Sequence, residues 1–266
     1  MIFEAIGDFM IVTTAGRTND NMVEIAIQAA NELSIPFVER RKRSIEDIQT
    51  VMNDDVLVIG KNRLEIYSLY RKEPFFFHPN SSMFRIKRIM SGEVDPFIQT
   101  CGLKNGSTLL DCTLGLGSDS ITASFCVGET GKVVGIEGNQ YIAYIVAKGL
   151  QSWKSDYQVI NEAMERVEVV YSDYLSYLQT CPSDSFDVVY FDPMFEESLV
   201  ESDGISSMKQ IALRSPLDSQ IIAEAKRVAK TRVVMKDHWK SERFVQLGFT
   251  VFKRKTSKFH FGLIEI

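Results

Sequence analysis

Asp111-Cys-Thr-Leu-Gly-Leu-Gly-Ser-Asp119 is the stretch on which the reading of the fold turns. An apolar run, Thr108–Cys112, precedes the glycines and predicts a strand; a helical pattern from about Asp119 to Val127 follows them. Strand, glycine loop and helix together make a ligand-cradling junction. Glycine lets backbone approach a ligand closely, and the start of the helix offers unpaired N–H groups. Asp111, Thr113, Gly115 and Gly117 are therefore the first candidates for holding a cofactor. A dinucleotide fingerprint would read G-x-G-x-x-G, but position 120 is serine and the third glycine for close helix packing is missing. An acid at the head of the loop suits a cofactor with an ammonium and hydroxyls better than one with a pyrophosphate.

Outward from this loop the chain alternates strand with helix. Lys132–Glu137, Val167–Tyr171, Asp187–Asp192 and Arg232–Lys236 predict strands, and Gln140–Leu150 a helix. Ser215-Pro-Leu-Asp218 caps a further helix with Ile221, Ile222, Ala225 and Val228 on one side. Phe249–Lys253 and Phe259–Ile266 predict an antiparallel pair. Repeated β-α units imply a parallel sheet covered by helices on both faces.

Upstream lies a smaller α/β unit. Phe9–Thr13 predicts a strand, and the next helical pattern places Val23, Ala26, Ile27, Ala30 and Leu33 on one face. Ser44-Ile-Glu-Asp47 reads as a capping box; Val56–Ile59 and Leu64–Leu69, around Gly60-Lys-Asn-Arg63, read as a hairpin. Pro74–Pro79 is an extended aromatic connector, Met83–Met90 a helix, and Asp95-Pro96 to Gly102 another helix with its start and stop marked. The expected division is a small domain over 1–80, a helical linker or substrate flap over 81–102, and the main domain over 103–266.

Composition narrows the classes. The 266 residues are 45% hydrophobic and 24% charged, enough to fill a core and too apolar for disorder. No apolar run is long enough to span a bilayer, and Met1-Ile-Phe-Glu lacks a basic region ahead of an apolar stretch, so a cytoplasmic enzyme is the expectation. Four cysteines without a CxxC pair and three isolated histidines argue for buried thiols and against a metal. The net charge is −5, yet eleven Lys/Arg stand between Lys226 and Lys258 against only Asp237 and Glu242. With Arg40–Arg43 and Arg85-Ile-Lys-Arg88, this suggests a localised phosphate-facing patch, and Arg85, Lys87, Arg88 and Lys236 are the candidate substrate contacts.

Three further features carry chemistry. Glu137 ends a predicted strand, where a carboxylate can accept both hydroxyls of an adenosyl ribose. Asp173, past the next strand, is placed either to meet an adenine amino group or to cap a loop. Asp192-Pro-Met-Phe195 follows an apolar strand at the edge where parallel sheets hold ligands. An exocyclic base amine is a poor nucleophile because its lone pair is delocalised into the ring. Hydrogen bonds from its N–H groups to the Asp192 carboxylate and the Pro193 carbonyl would localise that pair toward a sulfonium methyl, and Phe195 would stack on the base.

Asp111–Asp119, Val189-Tyr-Phe-Asp-Pro-Met-Phe195 and Thr231-Arg-Val-Val-Met-Lys236 resemble, in that order, the bacterial small-subunit ribosomal RNA (guanine-N2) methyltransferase J family. The resemblance covers roughly residues 80–266. It implies a class I methyltransferase fold, Rossmann-like, with a mostly parallel seven-stranded sheet, a terminal antiparallel hairpin and a small N-terminal α+β domain. It also implies S-adenosylmethionine as methyl donor, S-adenosylhomocysteine as product, no metal, and ribosomal RNA as partner. By position, the family's cofactor contacts fall on Ser118, Asp119, Glu137, Gly138, Asp173, Tyr174 and Asp192. The chain departs from the family pattern where Ser118 and Gly138 replace basic residues, where Asp173-Tyr174 replaces a serine pair, and where Glu196-Glu197 replaces a basic run. Adenine N6 and a protein amide are the alternative acceptors, since all three are planar nitrogens. A catalytically silent adenosyl- or RNA-binding module is the alternative of another class.

Overall fold

The computed structural model describes residues 10–69, 73–193, 217–254 and 257–266. They form two compact units, one ending at His78 and one beginning at Pro79.

The first unit is a four-stranded sheet in the order β1 (Met10–Thr14), β2 (Asp55–Ile59), β3 (Leu64–Tyr67), β4 (Phe75–Phe76). β1 and β2 are parallel, joined through α1 (Asp20–Leu33) and α2 (Ile45–Met52); β3 and β4 add antiparallel. The hairpin turn closes with Gly60 N–H donating to the Arg63 carbonyl at 3.0 Å. Ser44 and Asp47 form the expected reciprocal capping box. The apolar connector contains β4, and two of its phenylalanines, Phe75 and Phe77, are buried in the core. α1 is rotated from the expected face. Met22, Ala26, Ala29, Ala30 and Leu33 are buried while Ile27 is 45% exposed, because three small alanines fit closest to the sheet.

The second unit opens with α3 (Asn80–Met90) and α4 (Pro96–Cys101), the latter bounded as expected by the Asp95 cap and a left-handed Gly102. Then come β5 (Thr108–Asp111), α5 (Ser118–Val127), β6 (Lys132–Glu137), α6 (Gln140–Ser152), α7 (Gln158–Glu165), β7 (Val167–Tyr171), α8 (Tyr174–Thr180) and β8 (Phe186–Phe191). α9 (Ser219–Val228), β9 (Ala229–His238), α10 (Arg243–Gln246), β10 (Thr250–Phe252) and β11 (Phe259–Glu265) complete it. The sheet order is β10-β11-β9-β8-β5-β6-β7, with the first five strands in sequence parallel and β11 inserted antiparallel between β9 and β10.

Strands β5, β6, β8 and β9 are rich in Val, Ile and Leu because helices cover both their faces. A core of Leu110, Val134, Ile136, Val189, Phe191, Val233 and Met235 meets Ile221, Ile222, Ala225 and Val228, all four of which lie on the buried side of α9 as expected. β5 has β6 on one side and β8 on the other, so the direction of winding reverses there. The crevice beyond its C-terminal end is the place where such a sheet holds a ligand.

Candidate functional site

Three strand ends meet at that crevice: Asp111 from β5, Glu137 from β6, and Asp192 just past β8. The glycine loop joins them. Gly115 and Gly117 both have positive φ, +51° and +74°, which side-chain-bearing residues rarely adopt. Gly135 on β6 leaves room for Leu114, whose Cδ1 would lie 2.4 Å from any Cβ built there. The loop can therefore lie flat on the neighbouring strand.

Glu137 is tied to the loop. Its Oε2 accepts from Gly115 N–H at 3.2 Å and its Oε1 from Asn139 N–H at 3.0 Å. Asp111 is buried; its Oδ1 accepts from Thr113 N–H at 3.0 Å and its Oδ2 from Ser120 O–H at 2.7 Å. Burial pushes Asp111 up to about 7, and the negative Asp119 and Asp192 add to the shift. Thr113 links the two halves of the site. Its Oγ1 accepts from the Asp192 backbone N–H at 2.6 Å, which couples the cofactor loop to the Asp-Pro turn.

Behind the loop lies a charged network that sequence spacing did not reveal. Asp119 accepts from Arg85 and, at 2.9 Å, from the Tyr190 hydroxyl. Arg85 also grips both oxygens of Asp95, at 2.8 and 2.9 Å. Lys236, from β9, donates to Asp192 Oδ2 at 2.5 Å and lies 3.5 Å from Asp119. Burial opposes the charge on Asp119, but Lys236 and Arg85 outweigh it and hold the carboxyl well below the usual range. Lys236 likewise keeps its proton against burial, because Asp119 and Asp192 flank it.

The expected substrate contacts therefore separate. Arg85 turns inward and pairs with Asp95 and Asp119. Lys87 lies 4.4 Å from the Tyr157 ring centroid, and Arg88 pairs with Glu93 on the surface. Asp173 takes the second of its two expected roles in this structure, capping α8 through Ser176 N–H at 3.0 Å; Tyr174 stands edge-on to Phe191. Gly138 follows the carboxylate of Glu137 directly. Phe195 and Ser215 lie outside the described residues; Pro193 is the last described residue of the turn. Residues not anticipated from the sequence are Ser120, Asn139 and Tyr190. Tyr190 sits two positions before Asp192 in the motif, the same period-2 face of β8, which was the available signal.

The site fits an adenosyl cofactor by its own chemistry. Ser118 Oγ is buried at the start of α5 and has no hydrogen-bond partner among the described residues. The helix begins at Gly117 with no side-chain cap. A buried hydroxyl and an uncapped helix start are groups that a polar ligand would satisfy.

Fold and site together define a class I methyltransferase. The family model described as "Putative SAM-dependent methyltransferase" matches residues 40–261, and the chain belongs to that family. It is 46% identical over 255 residues to "Uncharacterized protein YpiP" of Bacillus subtilis (strain 168), covering 96% of this chain and 99% of that one. It is 29% identical over 192 residues to "Ribosomal RNA small subunit methyltransferase J" of Buchnera aphidicola subsp. Acyrthosiphon pisum (strain APS), covering 68% of this chain and 75% of the relative. A solved SAM-dependent methyltransferase from Neisseria gonorrhoeae superposes with a TM-score of 0.61 over 96% of this chain and 95% of its own, at 15% identity, and so shares the fold. No helix among the described residues is long and apolar enough to cross a membrane.

Proposed function

We propose that this methyltransferase acts on the N2 amine of a guanine in small-subunit ribosomal RNA. The observation that carries the reading is the Asp192-Pro193 turn, whose backbone is bonded to Thr113 of the glycine loop and whose carboxylate is held by Lys236. S-adenosylmethionine, when bound, supplies an electrophilic methyl on its sulfonium. Glu137 would take the ribose hydroxyls, and Asp111, Gly115, Gly117 and Ser118 would line the rest of the cofactor. Asp192 and the Pro193 carbonyl would accept the two amine N–H groups and turn the nitrogen lone pair toward the donor, while Phe195 would stack on the ring. Arg85, Tyr190 and Lys236 hold Asp119 ionised, and Lys236 fixes Asp192 in place, although burial and the nearby Asp119 push the Asp192 carboxyl up. The likeness to the relatives named for ribosomal RNA supports the choice of acceptor.

The test is nucleoside mass spectrometry of small-subunit ribosomal RNA from cells with and without the gene. Loss of N2-methylguanosine, restored by purified protein and S-adenosylmethionine, is the expected result. An unchanged profile rejects ribosomal RNA as substrate while leaving the fold and cofactor class intact.

A further inference from the structure

The basic segment around β9 and β11 resolves into two kinds of residue. Arg227 donates to the Cys181 and Leu178 carbonyls, Arg232 to the Thr100 carbonyl, and Arg243 to buried Asp237; these brace the fold. Lys240, Lys253, Arg254 and Lys258 are exposed instead. Topology collects them. β9 runs parallel to β8 and ends at His238, while β11 begins opposite it, with Phe259 paired to His238. The exposed cations therefore share the sheet edge that carries Asp192.

A row of rings leads outward along the same edge. Lys236, bonded to Asp192, has its ammonium 6.0 Å from the Phe259 ring. Phe259 stands 6.4 Å from His238, and His238 5.9 Å from Trp239. The row ends on an indole that is 51% exposed, pinned by its backbone N–H to the Lys258 carbonyl at 3.0 Å and approached by the Lys240 ammonium at 5.1 Å. A single exposed apolar side chain is ordinary on a protein surface; this indole is set apart by its place on the edge that carries Asp192 and by the lysine beside it. Cations around an aromatic face, on a chain of net charge −5, select an anionic ligand with a flat apolar part. An unstacked nucleotide has both.

We propose that Trp239 is a stacking platform for a nucleobase flanking the methylated one, with Lys240 and Lys258 on the adjoining phosphates. The proposal rests on RNA being the substrate. It adds that the target lies in single-stranded or splayed RNA, whose neighbouring base is free to leave its own stack.

Only Trp153 and Trp239 are tryptophans, so a Trp153→Phe chain reports on Trp239 alone. Titrating it with a single-stranded RNA of about 12 nucleotides should quench its emission in step with binding measured by anisotropy. Trp239→Ala should weaken that binding roughly 5- to 150-fold, Trp239→Phe much less. Lys240→Ala with Lys258→Ala should flatten the salt dependence of binding. S-adenosylhomocysteine affinity should stay unchanged in all of these variants, showing that they are folded. RNA binding that leaves Trp239 emission unmoved, with Trp239→Ala binding as tightly as wild type, overturns the platform and leaves the RNA reading standing. If neither this RNA nor isolated small subunits bind the wild-type chain, the RNA reading falls and the platform falls with it.

Discussion

Two strand–loop–helix junctions in this chain start alike and end differently. In the first unit β1 passes through Gly16 into α1, and Asn19 closes the helix start by accepting from Met22 N–H at 2.9 Å. In the second, β5 passes through Gly115 and Gly117 into α5, which has no side-chain cap and has an unpartnered Ser118 hydroxyl. A capped helix start is complete within the protein. An uncapped one is complete only with a ligand or water, and here it stands among carboxylates suited to an adenosyl group. The difference separates a junction closed by its own side chain from one that the described residues leave open.

The strongest challenge to the binding junction falls on its acceptor side. Asp192→Ala removes the oxygens that would accept from the amine, and Lys236 keeps Asp119 as a partner 3.5 Å away. Turnover should fall about 10²- to 10⁴-fold, the range for a positioned acid–base group, with the melting temperature little changed. Turnover at the wild-type rate would reject the acceptor site and leave the two junctions distinguished by cofactor alone.

Asp111 gives the next largest effect, through pH. The folded chain keeps its Asp111 proton up to about 7, whereas the unfolded chain releases it near 3.8. Stability from this group is therefore present below about pH 4, declines as pH rises to about 7, and is flat above. An ammonium-bearing ligand prefers the ionised carboxylate, so S-adenosylhomocysteine should bind up to about tenfold tighter per pH unit until pH 7 and level off beyond. Asp111→Asn should flatten both profiles. A pH-independent affinity in wild type would place the ligand's ammonium elsewhere.

How much of this could be read from residues alone follows the range of each interaction. β6 and β7 match their expected bounds because β-branched runs mark a strand locally. α7 went unanticipated because Tyr157 precedes it without a capping side chain, and α8 because its cap, Asp173, also suited a ligand role. Arg85-Ile-Lys-Arg88 looked like one basic surface, but helical geometry points its members apart. Arg85 reaches Asp119, thirty-four residues on, and no local period predicts such a pairing. The glycine loop, Glu137 and the Asp-Pro turn were legible because each depends on a short motif at a strand end. The network behind them was not, because only the closed sheet brings Arg85, Tyr190 and Lys236 together.

Backbone strain sharpens the contrast at single atoms. Gly117 has φ +74°, and a Cβ there would touch Leu114 Cδ1 only at 3.5 Å, so the obstacle is conformational rather than steric. Gly117→Ala should lower stability by about 1–2 kcal/mol and weaken S-adenosylhomocysteine binding. At Gly16 a Cβ meets nothing within 4 Å, and Gly16→Ala should stay within about 0.5 kcal/mol with binding unchanged. Urea melts of the two variants check both values.

The smallest effects separate the junctions most cleanly, because they should move in opposite columns. Asn19→Ala removes the side-chain oxygen that caps α1 and should reduce stability by about 1 kcal/mol, leaving ligand affinity untouched. Ser118→Ala removes a hydroxyl that bonds nothing in the protein, so stability should hold or rise slightly, because a buried polar atom without a partner is unfavourable. Its affinity for S-adenosylhomocysteine should fall by about 0.5–1.5 kcal/mol, the net worth of one neutral hydrogen bond. Calorimetry and thermal melts on the same two proteins read both quantities. If Ser118→Ala lost stability and kept its affinity, the hydroxyl would belong to the fold, and α5 would be one more closed helix start like α1.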